Sequence, residues 1–321
     1  MQYTDFIRQM NAAGRAGRPV FFAVNYDGSE SLVIAPADAA ARGVLYDFRG
    51  VTNRAPDVGT LGALRFVKHP VAPQHYRAAF DIIAAHIANG NSYLANLTLP
   101  TPVECSLTLR EIFLRSRAPY RLLFADRFTV FSPETFVRIA GRRISAHPMK
   151  GTIDASIPDA EARILADRKE TAEHHTIVDL LRNDLSMIAD RVRVERFRYI
   201  DRVETSGKTL LQVSSEIAGD LPTDWREHLG DILGALLPAG SVTGAPKHRT
   251  VEILREAEGY ARGFYTGIAG YFDGHTLDSC VLIRFLEATP SGLVFKSGGG
   301  ITCFSDPDSE YQELVDKVAI A

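Results

Sequence analysis

Stretches that read as strands come in runs along this chain, with helices interspersed rather than alternating with every strand. Tyr120–Ala125, Thr129–Ser132, Phe136–Ala140 and Arg143–His147 follow one another directly, and Tyr93–Thr98, Leu210–Ile217, Gly263–Phe272, Ser279–Leu286 and Gly292–Lys296 have the same character. Helical spacing marks His75–Asn89, Ala160–Ala189, Arg226–Leu237, Lys247–Glu258 and a last helix from Asp308 to the end. That order predicts an α+β fold with largely antiparallel sheets, not a doubly wound nucleotide fold. Residues 1–65 read as a helix (Tyr3–Ala16), a strand (Pro19–Asn25), a turn at Asp27-Gly28 and a strand (Glu30–Ile34), which predicts a hairpin. The segment Asn53–Gly62, rich in Gly, Pro and Asn, reads as looser chain before residues 66–321.

Composition excludes several function classes. With 321 residues, 45% hydrophobic and 23% charged, the chain has the make-up of a soluble globular protein. Its net charge of −3 gives no footprint for nucleic acid. The basic stretch Arg191–Arg198 alternates like a strand, which places its arginines on a solvated face. Cys105, Cys280 and Cys303 are too few and scattered for a disulfide framework or a zinc knuckle. The first residues read as an amphipathic helix rather than a signal segment, and no apolar run approaches membrane-spanning length. The expected compartment is the cytoplasm.

Lys150 is the first candidate for chemistry. It lies in His147-Pro-Met-Lys-Gly-Thr152, between proline and glycine, which predicts a turn at a strand end. A lysine partly desolvated there would carry a free amine, a nucleophile, and Glu134 upstream could serve as general acid. Two carboxylate pairs share one spacing, Glu170 with Glu173 and Glu310 with Glu313. Residues three apart share a helix face, so two such helices could offer an all-oxygen site of the kind Mg²⁺ prefers. Solvated helix faces would account for the same spacing. Pro238–Lys247 resembles a phosphate loop only superficially, because Gly240 and Gly244 are too close and Pro246 precedes Lys247. Ser241, Thr243 and Gly244 could still meet an anion there. Gly298, Gly299 and Gly300 imply that some group approaches the backbone closely, either a ligand or a crossing chain. Arg284, inside the apolar run Val281–Phe285, needs a partner, which a substrate carboxylate or a buried salt bridge would supply.

Together these segments resemble the chorismate-utilising family that includes anthranilate synthase component I, aminodeoxychorismate synthase component I, isochorismate synthases and salicylate synthases. The matching stretches are Gly90–Thr98, Ser132–Glu134, Pro148–Thr152, Glu173–Leu185, Pro238–Lys247, Arg262–Tyr271, Ile283-Arg284 and Gly298–Glu313, in the family order. The resemblance implies two mainly antiparallel sheets packed in a sandwich with flanking helices, and a catalytic domain over 66–321 behind a shortened 1–65 segment. It implies Mg²⁺ on Glu173 and Glu313, with Glu170 and Glu310 as companions. It makes Arg284 and Lys317 holders of a chorismate carboxylate, and Tyr265, Thr152 and the Gly298–Gly300 backbone further substrate contacts. Ser241, Thr243 and Gly244 fall in a loop bordering the site, and Glu134 matches the general acid/base.

Two positions bear on the reaction. Lys150 falls where aminodeoxychorismate synthases carry a nucleophilic lysine and anthranilate and isochorismate synthases usually have alanine. Leu94 falls where isochorismate and salicylate synthases carry a lysine that activates water, and a leucine cannot act as that base. Both imply synthesis of 4-amino-4-deoxychorismate for 4-aminobenzoate and folate, with anthranilate synthase component I as the alternative. Met149, Leu94 and Leu211 depart from the usual family residues. The short N-terminal portion implies no feedback tryptophan site. The resemblance also implies a separate glutamine amidotransferase subunit as the source of ammonia.

Overall fold

The computed structural model describes residues 3–53, 62–204 and 209–320, so most of the looser Asn53–Gly62 segment lies outside the described residues. In chain order the elements are α1 (Thr4–Arg15), β1 (Val20–Val24), β2 (Ser31–Ile34), the short α2 (Pro36–Ala39), β3 (Val44–Phe48), β4 (Val51–Thr52), β5 (Phe66–Lys68) and α3 (Pro73–Ala88). Next come β6 (Leu94–Cys105), α4 (Leu109–Arg115), β7 (Tyr120–Phe124), β8 (Phe128–Ser132), β9 (Thr135–Ala140), β10 (Arg143–Ala146), β11 (Met149–Asp154), α5 (Ala160–Ala166) and α6 (Arg168–Ser186). The rest are β12 (Asp190–Glu204), β13 (Thr209–Asp220), α7 (Leu229–Leu236), β14 (Gly244–Ala245), α8 (Lys247–Glu258), β15 (Ile268–Phe272), β16 (Leu277–Val281), β17 (Phe285–Thr289), β18 (Gly292–Ile301) and α9 (Pro307–Asp316).

Two nine-stranded sheets result among the described residues. The first runs β11-β13-β10-β9-β16-β15-β1-β2 with β12 also on β13, and the second runs β14-β6-β18-β17-β8-β7-β3-β4 with β5 on β6. The pairings that join them are antiparallel, from the β1–β15 and β10–β13 ladders to the long β6–β18 ladder. The mainly antiparallel α+β fold expected from the sequence is the fold observed.

β1 shows why the sheets face each other. Its five residues are all buried, so both faces are covered. Phe21 and Ala23 join Tyr46, Phe48, Tyr120, Phe128 and Phe285 in a core between the sheets. The Phe21 ring stacks on Tyr46 with centroids 4.7 Å apart. Val20, Phe22 and Val24 point the other way, into a core with Phe6, Met10, Trp225 and Leu233 under α1 and α7. The hairpin β1–β2 forms as expected. β3 and β4 instead lengthen the second sheet, so the first 53 residues contribute strands to both layers.

Several boundaries differ from the sequence reading. The helix expected over Ala160–Ala189 is two, because Asp167 is extended (φ −65°, ψ 119°) and its side chain accepts from the Glu170 backbone N–H at 2.9 Å as the N-cap of α6. The strand expected over Ser279–Leu286 is also two. β16 belongs to the first sheet and β17 to the second, and the chain crosses between them at Leu282–Arg284, with Arg284 left-handed at φ 53°. Beside it, the strand expected from Gly263 starts only at Ile268, and the Thr266 N–H donates to the Leu282 carbonyl. Both segments lie where the chain passes between the sheets. No helix among the described residues is long and apolar enough to cross a membrane.

A buried ion pair lies just before the second of these segments. Arg262 donates to Glu258 through Nε at 2.8 Å and through its second guanidinium nitrogen at 2.5 Å, and the two side chains are only 2% and 3% exposed. The remaining donors reach the Val242 and Asn96 carbonyls, and Glu258 also accepts from the Thr98 N–H and hydroxyl. Removing one partner would leave a buried charge uncompensated. Glu258→Ala is therefore expected to cost about 3–5 kcal/mol in urea unfolding. A loss below ~1 kcal/mol, the range of an exposed pair, would contradict this reading.

Candidate active site

A cavity of about 470 Å³ opens beside the crossing, walled by β11, α6, the Gly240–Val242 turn, β18 and α9. Lys150 enters it from β11, so it stands on a strand and not on the expected turn. The ladder to β13 slips between Met149 and Thr152, and Gly151 takes φ 81°. A bulge of this kind redirects a side chain, here into the cavity. Lys150 Nζ lies 3.3 Å from Glu173 Oε2.

The expected free amine does not follow from this arrangement. Burial does push the Lys150 ammonium toward losing its proton, but Glu173, Glu313 and Glu170 outweigh burial and hold its pKa above that of an ordinary lysine. Glu134 shows the opposite balance. Burial raises its pKa above the usual carboxyl value, although Ser241, Lys150 and Lys317 pull it down. At its backbone, the Glu134 N–H donates to Ser132 Oγ at 3.1 Å and its carbonyl accepts from the Val281 N–H at 3.1 Å.

Glu173, Glu310 and Glu313 stand over the glycines of β18, and Glu170 stands over Gly151 of β11. A Cβ added to Gly300 would stand 3.3 Å from Lys150 Nζ and 3.7 Å from Glu173 Oε2. One added to Gly299 would stand 3.4 Å from Glu310 Oε2 and 3.9 Å from Glu313 Oε1, and one added to Gly151 would stand 3.3 Å from Glu170 Oε2. The glycine run therefore serves as a floor for acidic groups rather than only as a chain crossing. Glu170, Glu173 and Glu313 line the cavity, whereas Glu310 sits buried beside Gly299 and outside the lining. Oxygen donors alone suit a hard divalent cation such as Mg²⁺, and the glycine cradle leaves room beside them. In the present arrangement lysines balance the charge, Lys150 at Glu173 and Lys317 at Glu313 (2.7 Å), and no three His, Cys, Asp or Glu side chains among the described residues close on one point.

Lys317 also donates to the Gly298 carbonyl at 2.8 Å, and Arg284 donates to the Lys317 carbonyl at 2.7 Å. No carboxylate among the described residues forms a salt bridge with Arg284, so of the two partners the sequence left open the buried salt bridge is not the one seen there; burial lowers its pKa, against Tyr265 and Glu313. Tyr265, 3% exposed, and Thr152 at the rim complete the expected lining. Burial pushes the Tyr265 hydroxyl well above its ordinary pKa, so it stays a neutral donor.

The loop before α8 divides. Ser241 lines the cavity and donates to Glu134 Oε1 at 2.5 Å. Thr243 and Gly244 do not line it. The Thr243 hydroxyl is fully buried and donates to the Ala239 carbonyl, and Gly244 pairs with Ala95 in β14, where a Cβ would come within 1.9 Å of the Leu94 carbonyl. Lys247 is structural, bridging Asp184 of α6 at 2.8 Å and the Leu236 carbonyl.

Asn96, Gln212, Lys296 and Ser297 line the cavity without having been expected. Asn96 and Gln212 each stand as a polar residue inside an apolar strand run, a sign the sequence does carry. Lys296 is held by Glu287 at 2.7 Å and by the Arg262 carbonyl at 2.9 Å. Leu94, 3% exposed, packs with Ile177 and Leu180, and its Cδ1 lies 3.1 Å from a Gly300 Cβ position. Leu211 is likewise buried, opposite Ile153. His174, next to Glu173, is fully buried. Burial, Arg198, His175 and Lys150 bring its pKa down to about 4. Its Nε2 pairs with Ser215 Oγ at 2.6 Å, and the Ser215 N–H holds the Pro148 carbonyl, so neutral His174 locks α6 against the approach to Lys150.

Residues 39–321 match the chorismate binding enzyme family. The chain belongs to that family, whose members act on chorismate. It is 46% identical over 313 residues to an "Uncharacterized PabA-like protein" of Haemophilus influenzae, covering 98% of this chain and 95% of that one. It is 32% identical to aminodeoxychorismate synthase component 1 of Bacillus subtilis, covering 85% of this chain but 59% of that protein. Among solved structures, anthranilate synthase component I from Streptococcus pneumoniae superposes with a TM-score of 0.66 at 27% identity, covering 82% of this chain and 61% of that one.

The glycine floor makes a prediction. A methyl group at Gly300 would press on Leu94 and Lys150 and come into ordinary contact with Glu173, with no backbone among its three nearest neighbours. Gly300→Ala should fold with an unchanged circular dichroism spectrum and lose chorismate turnover on the order of a hundredfold, because the reacting groups are displaced. Turnover near that of the parent protein would show that the floor has no part in placing them.

Proposed function

We propose that this chain is the chorismate-converting component of an aminodeoxychorismate synthase. The observation that carries this reading is Lys150 itself, an amine delivered by a strand bulge into the cavity, across from Glu134 and beside Glu173. Leu94 supports it, since a leucine side chain cannot itself activate water for direct hydration.

Arg284 and Lys317 would hold a carboxylate of chorismate, with Tyr265 as a neutral donor and Thr152 at the rim. Glu173 and Glu313, with Glu170 and Glu310 beside them, would hold Mg²⁺, which when bound would neutralise substrate carboxylate charge. Charge neutralisation on those glutamates would also remove the influence that keeps Lys150 protonated. As the free amine, Lys150 adds to ring carbon C2 while Glu134 gives its proton to the departing C4 hydroxyl, which leaves as water. Ammonia then adds at C4, Glu134 takes up a proton, and the Lys150 amine departs. Two displacements replace one difficult substitution. Ammonia would come from a glutamine amidotransferase subunit, and the product would feed 4-aminobenzoate and folate synthesis in the cytoplasm.

A second reading is favoured by the charge state of Lys150. If its carboxylates keep it an ammonium throughout, it is a counter-ion, and the chain would make anthranilate, as the name of its Streptococcus pneumoniae relative describes for that protein. Product analysis separates the two. Incubation with chorismate, Mg²⁺ and ammonium should yield aminodeoxychorismate without pyruvate, and Lys150→Ala should lose roughly a hundredfold or more of that activity. Anthranilate with pyruvate, undiminished in the variant, would overturn the proposal.

A further inference from the structure

We infer that Ser241 is a positioning residue for Glu134, one that reserves Oε1 as a hydrogen-bond acceptor and leaves Oε2 as the atom that carries the transferred proton. The inference deepens the proposed function and rests on Glu134 acting there as general acid and base.

The geometry begins with the 2.5 Å bond from Ser241 Oγ to Glu134 Oε1. A serine hydroxyl has one proton, and here it is directed at the carboxyl group. A carboxyl oxygen that accepts such a bond is the poorer place for the acid proton, so Oε2 holds it. Both partners are immobilised from outside the cavity. The Ser241 turn is held at Val242, whose carbonyl accepts from the buried Arg262 at 2.7 Å. It is held again by the Thr243 hydroxyl on Ala239. A third constraint is Gly240, where a Cβ would come 2.9 Å from Asp184 Oδ2 and 3.1 Å from Leu180 Cδ2, so α6 packs directly on the turn. Glu134 is fixed through the Ser132 hydroxyl and the Val281 N–H. A hydrogen bond between two anchored groups needs no reorganisation when the reaction begins, which is the arrangement that electrostatic preorganisation requires.

The second consequence is for protonation. The groups facing Glu134 are Lys150 from β11, Lys317 after α9, Tyr265 before β15, Cys280 of β16 and Ser241. Ser241 lowers the Glu134 pKa against burial, as do the two lysines. Losing the hydroxyl should therefore let Glu134 keep its proton to higher pH. A general acid loses activity as pH rises through its pKa, so the fall of kcat/KM at high pH should move further up in Ser241→Ala.

The test follows chorismate consumption against pH, whichever product forms, for the parent protein, Ser241→Ala, Ser241→Thr and Glu134→Gln. Ser241→Ala should lose roughly tenfold or more in kcat with KM little changed, and its high-pH limb should shift upward. Ser241→Thr, which keeps the hydroxyl, should restore both rate and profile. If the alanine variant proves unstable, Ser241→Cys should show the same upward shift, since a thiol donates only weakly. A lowered rate with an unshifted profile, or an increase in KM alone, would overturn the inference and return Ser241 to a substrate contact. An active Glu134→Gln would overturn the general-acid reading itself, and the inference with it. An inactive Glu134→Gln with an unshifted Ser241→Ala profile would sink the inference alone.

Discussion

Acidic groups crowded around a run of strand glycines set the terms for the rest of this structure. Glu170 and Glu173 come from α6, Glu310 and Glu313 from α9, and they fit because Gly299 and Gly300 leave space above β18 for three of them and Gly151 leaves space on β11 for Glu170. Carboxylates brought together in a partly buried cavity repel unless cations stand among them. Lys150 and Lys317 take that part at 3.3 and 2.7 Å. The same arrangement that stabilises the carboxylates therefore decides the state of the lysine proposed to react. A cation that displaced Lys150 from Glu173 would change both at once.

The arginines near this region are used in different ways. Arg262 is spent on structure, with its guanidinium committed to Glu258, Val242 and Asn96 in a site closed to water. Arg284, in the crossing between sheets, has its bond to the Lys317 carbonyl and, among the described residues, no carboxylate in a salt bridge with it. A buried guanidinium with capacity for an anion fits a ligand site better than a scaffold. The two arginines divide the work, one holding the Ser241 turn in place and one facing the cavity that the turn helps to wall.

Much of this was legible in the sequence, and the failures have local causes. The antiparallel plan, the glycine floor and the paired glutamates follow from spacing and from residue type. The division of Ser279–Leu286 does not, because Val281-Leu-Ile-Arg-Phe285-Leu contains neither glycine nor proline, and the break is imposed by crossing from one sheet to the other. Lys150 sits on a bulge rather than a turn, since a partner strand, β13, lies beside it to complete a ladder. The break at Asp167 carried a sign, an aspartate three residues before Glu170, which helical periodicity alone overrode. Helix α4 is too short for periodicity to register, although Thr108 and Glu111 form a capping box that marks its start. The protonation of Lys150 depends on carboxylates from α6 and α9, distant in sequence, and no reading of Pro148–Thr152 alone could supply it.

The most direct measurement is peptide-resolved mass spectrometry of the protein held with chorismate and Mg²⁺ in the absence of ammonia. If Lys150 displaces the C4 hydroxyl through attack at C2, the peptide containing Lys150 should gain the mass of chorismate less one water, and added ammonium should discharge it. An unmodified Lys150 in protein that then turns chorismate over on addition of ammonium would contradict the account, and would make this lysine a counter-ion to the glutamates and nothing more.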